Sequence, residues 1–334
     1  MIWLTWRQFR VQAWVTVAAL VVLATTLAVT GPELRDLYRA SGLATCTTDC
    51  GTVLDGFRNQ VTASAAGPVF WATAGVMFLL PAVIGIFWGA PLVARELEAG
   101  THRLVWTQSV PRTRWLAVKV AAIGTVAILT AAACGAAVTW WAQPIDDASQ
   151  NRLLPEMFAI RGIVPIAYAA FAFVVGVLLG MVIRRTVPAM AATLIVVAVV
   201  QIALPFFVRP HLTTPVRVDA VLAAEQITGI GIEPDGAMQV ASKLTAPGAW
   251  ELSNETYTAA GTRFTGPADR TKCGPAASYR ICREWLNSLG LRQQASYVPA
   301  DRFWPLQWRE AALMFGVTGL LTGFTVWWLR RRIT

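Results

Sequence analysis

The chain has 334 residues, 55% hydrophobic and only 14% charged, with a mean hydropathy of +0.51 and a formal net charge of +9. A soluble domain carries about 25% charged residues, and a disordered chain would lack the 15 Trp and 14 Phe found here, so composition argues against both. Five Cys in this length exclude a disulfide-dense mini-protein, and what remains is a polytopic membrane protein.

Residues 1–10, MIWLTWRQFR, come first. At helical spacing Ile2, Trp3, Trp6 and Phe9 share a face, while Thr5, Arg7 and Gln8 fall mostly elsewhere. With Arg10 closing the segment, this predicts an interfacial helix lying along the membrane; a frayed polar tail is the alternative. A bilayer core of about 30 Å needs roughly 20 apolar residues as a helix. Six stretches meet that without an internal charge: 11–30, 68–94, 120–142, 162–183, 186–208 and 311–329. The first exceeds the apolar core of a signal peptide, about 7–15 residues, and reads as an uncleaved span.

Between the spans lie segments of two kinds. With the N-terminus inside, the inner segments are 1–10, 95–119, 184–185 and 330–334. They hold 12 Lys and Arg against two acids, Glu96 and Glu98, a charge of +10 that leaves −1 for the rest of the chain. That asymmetry is the positive-inside pattern, and it points to anionic inner-leaflet lipid and not to nucleic acid. The outer segments are 31–67, polar and Gly-rich, the short 143–161, and 209–306. The last is the only candidate for a separate small domain. Within it, 238–244 and 291–298 read as strands and 278–289 as an amphipathic helix, so an α+β or irregular region is expected. Asn254-Glu-Thr matches a glycosylation sequon that is common by chance. The resulting fold class is an all-α polytopic protein of six transmembrane helices. Its expected division is 1–208, 209–306 and 307–334.

Tryptophans fall near the inferred interfaces: Trp88, Trp106, Trp115, Trp327 and Trp328 inside, and Trp71, Trp140, Trp141, Trp304 and Trp308 outside. Of the cysteines, Cys46, Cys50, Cys273 and Cys282 are outside and Cys134 is within span three. Four outer cysteines allow three pairings. Cys46–Cys50 and Cys273–Cys282 need the least long-range geometry, and four free thiols are the alternative. The two histidines, His102 and His211, fall on opposite sides and adjoin no Cys, so no metal site is expected.

Chemistry-bearing motifs are absent. There is no GxxxxGK[ST] to cradle phosphate, no HExxH and no GxSxG. Ion-coupled carriers and intramembrane enzymes place ionisable groups within spans. These six cores hold only polar residues such as Thr125, Thr130, Thr193, Thr318, Thr322, Tyr168 and Gln201. No cofactor is expected, and the energy for any transport must come from another subunit. Gly85/Gly89, Gly176/Gly180 and Gly319/Gly323 are spaced for close helix approach, most of them inside one subunit, with a dimer seam possible for one. Pro81, Pro165 and Pro205 should kink their spans.

The inner segment 94–119, ARELEAGTHRLVWTQSVPRTRWLAVK, carries both acids. Gly100-Thr101 breaks the helix and Thr101 can cap a new one over 102–109, before Pro111-Arg112 turns the chain back. Such a corner with both signs of charge can dock a partner; a solvated loop is the bland alternative. The run Glu96-Leu-Glu98-Ala-Gly100-Thr101, then 107–112 and Lys119, resembles the segment between spans two and three of ABC-2 type exporter permeases. So do the MIWLTWRQFR start and the closing YVPADRFWPLQW into span six, in the manner of actinobacterial members. Arg outnumbering Lys 25 to 3 agrees with a high-G+C genome.

The resemblance implies a half-transporter in a bacterial cell membrane with both termini cytoplasmic. Two permease copies form the membrane domain as a homodimer, two cytoplasmic ABC ATPase subunits bind beneath, and ATP hydrolysis resides on those partners. The ATPase-coupling residues would be Glu96, Glu98, Gly100, Thr101, Arg103, Arg112 and Arg114. The interfacial helix with Trp3, Trp6, Arg7 and Arg10 would flank them. A charge-free path suits a hydrophobic or amphiphilic cargo such as an antibiotic, lipid or small peptide. The 209–306 region exceeds the short linker of the simplest members. That excess leaves a rival reading, a membrane-anchored sensor or accessory protein that binds a ligand or a cell-envelope component.

Overall fold

The structure is a computed structural model that describes residues 2–47, 50–101, 111–149, 152–223, 225, 227–232, 238–242, 248–266, 269–273 and 278–332. Among these, six helices are long and apolar enough to cross a membrane: Phe9–Ser41, Ala66–Glu98, Arg112–Ser149, Val164–Ile183, Thr186–Phe207 and Ala300–Arg331. The chain divides into two compact units, Met1–Leu212 with Trp304–Thr334, and Thr213–Phe303.

In the first unit, α1 runs from Ile2 to Ser41. No Gly or Pro interrupts residues 2–30, so nothing breaks the helix where an interfacial segment would end. Residues 2–10 therefore run without a break into the helix of span one and are not a separate helix. The segment after span one, 31–67, is also helical. α1 continues to Ser41 through Pro32, and α2, Gly51–Ala63, folds back on it with Phe57 and Val61 buried. Tyr38 meets Phe57 edge to face with centroids 5.8 Å apart, and the Cys46–Cys50 bridge closes the turn between the helices. Span two is α3, Ala66–Ile84, a five-residue π turn at Gly85–Gly89, and α4, Ala90–Glu98. Then follow α5, Arg112–Ser149, the short α6, Pro155–Phe158, α7, Val164–Ile183, α8, Thr186–Phe207, and, after the second unit, α11, Phe303–Arg332. Pro165 stands in the first turn of α7, where its missing N–H leaves no bond unmade, so it starts that helix and does not kink it.

α7 is the hub, with 15 of its 20 residues buried. Its closeness to span two is set by glycine. A Cβ on Gly85 would lie 2.7 Å from the Ala172 carbonyl oxygen, and one on Gly89, Gly176 or Gly180 would overlap the oxygens of Phe173, Gly85 or Ala90. Two of the three predicted glycine pairs thus face each other inside one chain, where apolar groups must give way to backbone contact. The third pair is different: Gly319 and Gly323 have nothing within 4 Å of a built Cβ. We expect Gly176→Ala to cost about 1–3 kcal/mol through overpacking, and Gly319→Ala to stay within about 0.5 kcal/mol. The temperature at which half of the detergent-solubilised chain aggregates reads the difference; equal values for the two variants would remove the glycine seam as a determinant of stability.

Three tryptophans placed at the interfaces by sequence lie in the core. Trp88 is against Phe9 at 5.0 Å, and Trp115 and Trp141 are wholly buried, the latter donating to Thr30 Oγ1 at 2.9 Å. The sequence did not disclose which helix face each of them occupies. Trp71, Trp140, Trp304, Trp308 and Trp327 are exposed, as interfacial residues would be, and Trp106 lies outside the described residues.

The second unit is α+β. β1, Val216–Val221, β5, Arg292–Val298, and β4, Trp250–Tyr257, form an antiparallel sheet in the order β1-β5-β4. β2, Ile227–Ile232, and β3, Met238–Ser242, form a separate hairpin. α9, Arg270–Cys273, and α10, Tyr279–Ser288, supply the helical layer, with the Ser278 hydroxyl capping α10 by accepting from Ile281 N–H at 3.3 Å. The expected helix and two strands are present, residues 243–244 lying outside the described set; β1, β2 and β4 are additional. Leu222, Ile227, Met238, Leu286 and Leu291 make the core around the Cys273–Cys282 bridge. Both local cysteine pairings are thus formed, and Cys134 is a buried free thiol.

Candidate functional site

At the C-terminal end of span two the neighbouring acids part company. Residues two apart on a helix point in nearly opposite directions. Glu96 is therefore buried, paired with the ammonium of Lys119 on α5, while Glu98 is exposed. Lys119 also lies 5.0 Å from the Trp115 ring centroid, a cation–π contact. The Glu98 carboxylate accepts from the Thr186 N–H at 2.9 Å and the Thr186 hydroxyl at 2.7 Å. It supplies an acceptor and a negative charge to the first turn of α8, where N–H groups lack partners within the helix. The preceding Arg184 takes a left-handed conformation, φ 58°, and ends α7. The turn between spans four and five is in this way tied to the end of span two.

The other predicted coupling residues are placed as follows. Gly100 has φ 69°, which only glycine adopts freely, so it ends α4 as expected. Thr101 and Arg114 are exposed and Arg112 is half-buried. Arg103 and the short helix read over 102–109 lie outside the described residues. Trp3, Trp6, Arg7 and Arg10 are exposed, with the Arg7 guanidinium 5.3 Å from the Trp3 ring. The expectation that both glutamates face a partner is corrected for Glu96: its carboxylate serves an internal ion pair.

At the opposite end of the bundle, charges lie just beyond the apolar runs. α11 begins at Phe303, eight residues before the apolar run, and its first turns carry Gln307 and Glu310 into the bundle. Glu310 and Arg209 are each 0% exposed, joined by Nε–Oε2 at 2.7 Å and Nη2–Oε1 at 3.1 Å. Tyr168 of α7 donates its hydroxyl to Glu310 Oε1 at 3.0 Å, and Arg209 lies 4.3 Å from the Phe158 ring centroid. One turn earlier, the Gln307 amide donates to the carbonyls of Phe158 and Arg161, both at 3.1 Å. Its oxygen accepts from Ile163 and Val164 N–H, both at 3.0 Å. Nearby, Arg161 pairs with Asp146 of α5 at 3.1 Å. The apolar span cores are therefore flanked by buried ion pairs, which together with the Tyr168 and Gln307 hydrogen bonds tie spans three to six to one another. The Thr193, Thr318 and Thr322 hydroxyls bond their own helices at 2.7–2.8 Å and add no such tie. Gln201 donates to the Phe78 carbonyl at 2.9 Å.

Concavities occur among the described residues in both units. One of about 250 Å³ lies between α5, α7 and α11, walled by Val120, Val174, Val177 and Val326. Its hydroxyls, Thr322 and Thr325, are satisfied by their own backbone at 2.8 and 2.6 Å, so it offers apolar contact alone. Another, about 420 Å³, lies on the polar face of the three-stranded sheet by Arg217, Asp219, Glu255 and Tyr257. Among the described residues no group of three or more His, Cys, Asp or Glu could hold a metal ion.

A protein-family model described as ABC-2 membrane transporter related matches residues 17–209, a stretch that runs from span one through the end of span five. No curated protein and no solved structure matches the chain.

Proposed function

The chain belongs to the ABC-2 membrane transporter related family, and from that premise we propose that it is the permease subunit of a bacterial ABC exporter. The observation that carries the proposal is the family match across five of the six spans. The family implies an ATPase partner, and the chain itself has no phosphate-binding loop, so ATP hydrolysis is assigned to that separate subunit. Coupling is assigned to the inner segment through Glu98, Gly100, Thr101, Arg103, Arg112 and Arg114, with Glu96 holding the segment's base through Lys119. Trp3, Trp6, Arg7 and Arg10 flank it. The charge split of +10 against −1 supports cytoplasmic termini in a bacterial cell membrane. A second permease copy completes the path as a homodimer. The apolar cleft beside Val174 suits an acyl chain or an aromatic group, in keeping with a hydrophobic or amphiphilic cargo. The division into 1–208, 209–306 and 307–334 then separates membrane helices, an extracytoplasmic region and the closing span.

The test is purification of the full chain from membranes that co-express the P-loop ATPase encoded beside its gene. Co-purification, with ATP-dependent cargo accumulation in inside-out vesicles, is the expected result. Transport driven by a proton gradient without ATP, or no ATPase retained, would overturn the reading. The polar cleft by Tyr257 favours the second reading, a sensor or accessory protein. Ligand binding by a chain that retains no ATPase would establish it.

A further inference from the structure

β1 is an edge strand. Among the described residues it pairs with β5 alone, and three consecutive residues, Arg217, Val218 and Asp219, are exposed along it. Val221, at its end, is 64% exposed. An open edge presents unpaired N–H and C=O groups and is a template for another strand. Which residues offer those groups follows from parity. Leu222 N–H donates to the Leu291 carbonyl at 2.8 Å, and the β1–β5 register continues without a bulge from that pair to Val216↔Tyr297. Hydrogen-bonded and non-hydrogen-bonded pairs alternate along an antiparallel ladder. Val216, Val218 and Ala220 therefore turn their backbone groups toward β5, and Arg217, Asp219 and Val221 turn theirs to the open side.

We propose that β1 pairs antiparallel with β1 of a second copy of this chain, about a two-fold axis at Val218, joining the extracytoplasmic regions of two permeases through one continuous sheet. The geometry selects this register. Outward groups meet only when Arg217, Asp219 or Val221 faces another of these or Pro215. Setting Arg217 on Arg217, or Asp219 on Asp219, opposes like charges. Shifting further leaves one of the two charges beyond the strand. With the axis at Val218, Arg217 faces Asp219 of the second copy and Asp219 faces its Arg217. Directly opposite charges stabilise such a pair. Each copy then donates its Arg217 and Asp219 N–H groups to the other's carbonyls, and Val221 N–H meets the Pro215 carbonyl. On the same face Asp219 already accepts from Arg292 at 2.9 Å, so the second copy's Arg217 completes an alternating row. Arg217 itself makes no ion pair among the described residues. A lone charge type on the edge would repel a copy of itself; one of each sign, two residues apart, makes the edge self-complementary.

The inference rests on the proposed function only in needing two copies in one complex. Val218→Cys in the full chain, oxidised with copper phenanthroline in native membranes, should give a dimer on a non-reducing gel, because residues on the axis approach most closely. Co-expressed Val216→Cys and Ala220→Cys chains should cross-link as well. Thr262→Cys, an exposed position outside the proposed contact, should not. In the Val218→Cys background, Arg217→Lys should preserve the dimer and Arg217→Asp should reduce it about tenfold, both opposite-charge pairs having become like-charge pairs. Cross-linking no better than at Thr262, in a complex that light scattering shows to hold two permeases and its ATPase, would overturn the edge pairing and leave the permease reading intact. Cross-linking in a chain that retains no ATPase would do the reverse.

Discussion

Arg209→Met should destabilise the membrane unit by about 3–5 kcal/mol, the range for removing one partner of a buried ion pair. Neither Arg209 nor Glu310 is exposed, so the change leaves a carboxylate with no counter-ion and no route to water. The size of the effect is set by the orphaned charge and not by the net worth of the pair. Replacing both residues with apolar groups of similar volume is often neutral or stabilising, and Arg209→Met with Glu310→Leu should recover most of the loss. Tyr168→Phe removes one hydrogen bond to a charged group and should fall between, at about 1.5–3 kcal/mol. Half-aggregation temperatures of the four proteins in detergent should rank native and double variant highest, then Tyr168→Phe, then Arg209→Met. An Arg209→Met protein as stable as the native one would mean that this cluster does not hold spans four, five and six together.

How this cluster escaped the sequence reading explains much of what else was and was not legible. A search for apolar runs stops at the first charge, and so it ended span five at Val208 and began span six at Ala311. Helices stop for other reasons: a glycine with positive φ at Gly100, a left-handed cap at Arg184. Where no such signal stood, the helix ran on past the apolar segment, in α1 to Ser41 and in α11 back to Phe303. The number of spans and their approximate positions depend on bulk hydropathy and were readable. Facing was not, because the hydrophobic periodicity of a span surrounded by both lipid and protein is nearly flat; Trp88, Trp115 and Trp141 are cases of this. The glycine pairs were readable as close-approach devices, but only the structure distinguishes the two that meet between the π turn of span two and α7 from the one that meets nothing. In the second unit, α10 announced itself by its amphipathic pattern. β1 did not, since a strand with one charged face and a mixed second face alternates too weakly.

The same question of facing decides what Glu96 and Glu98 do. Glu96→Gln alone should lower the amount of folded protein, again by about 3–5 kcal/mol, because it removes the carboxylate of a buried ion pair, the Lys119 side chain being 3% exposed. Every folded copy should still retain its ATPase, since the Glu96 carboxylate is turned into the protein. Glu96→Met with Lys119→Met should restore the amount. Glu98→Gln should behave in the opposite way. Its carboxylate is exposed and its bonds to Thr186 lie at the surface, so the folded amount should change little. If the exposed face of the segment carries the coupling contact, its loss should appear as weaker ATPase retention and reduced cargo-stimulated hydrolysis per folded complex. Fluorescence-detected size exclusion gives the folded amount, and pull-down with hydrolysis measured per complex gives the coupling. A Glu96→Gln protein that is abundant but uncoupled would place Glu96 back at the partner surface. A Glu98→Gln protein that is normal on both measures would restrict the coupling contact to Thr101, Arg103, Arg112 and Arg114.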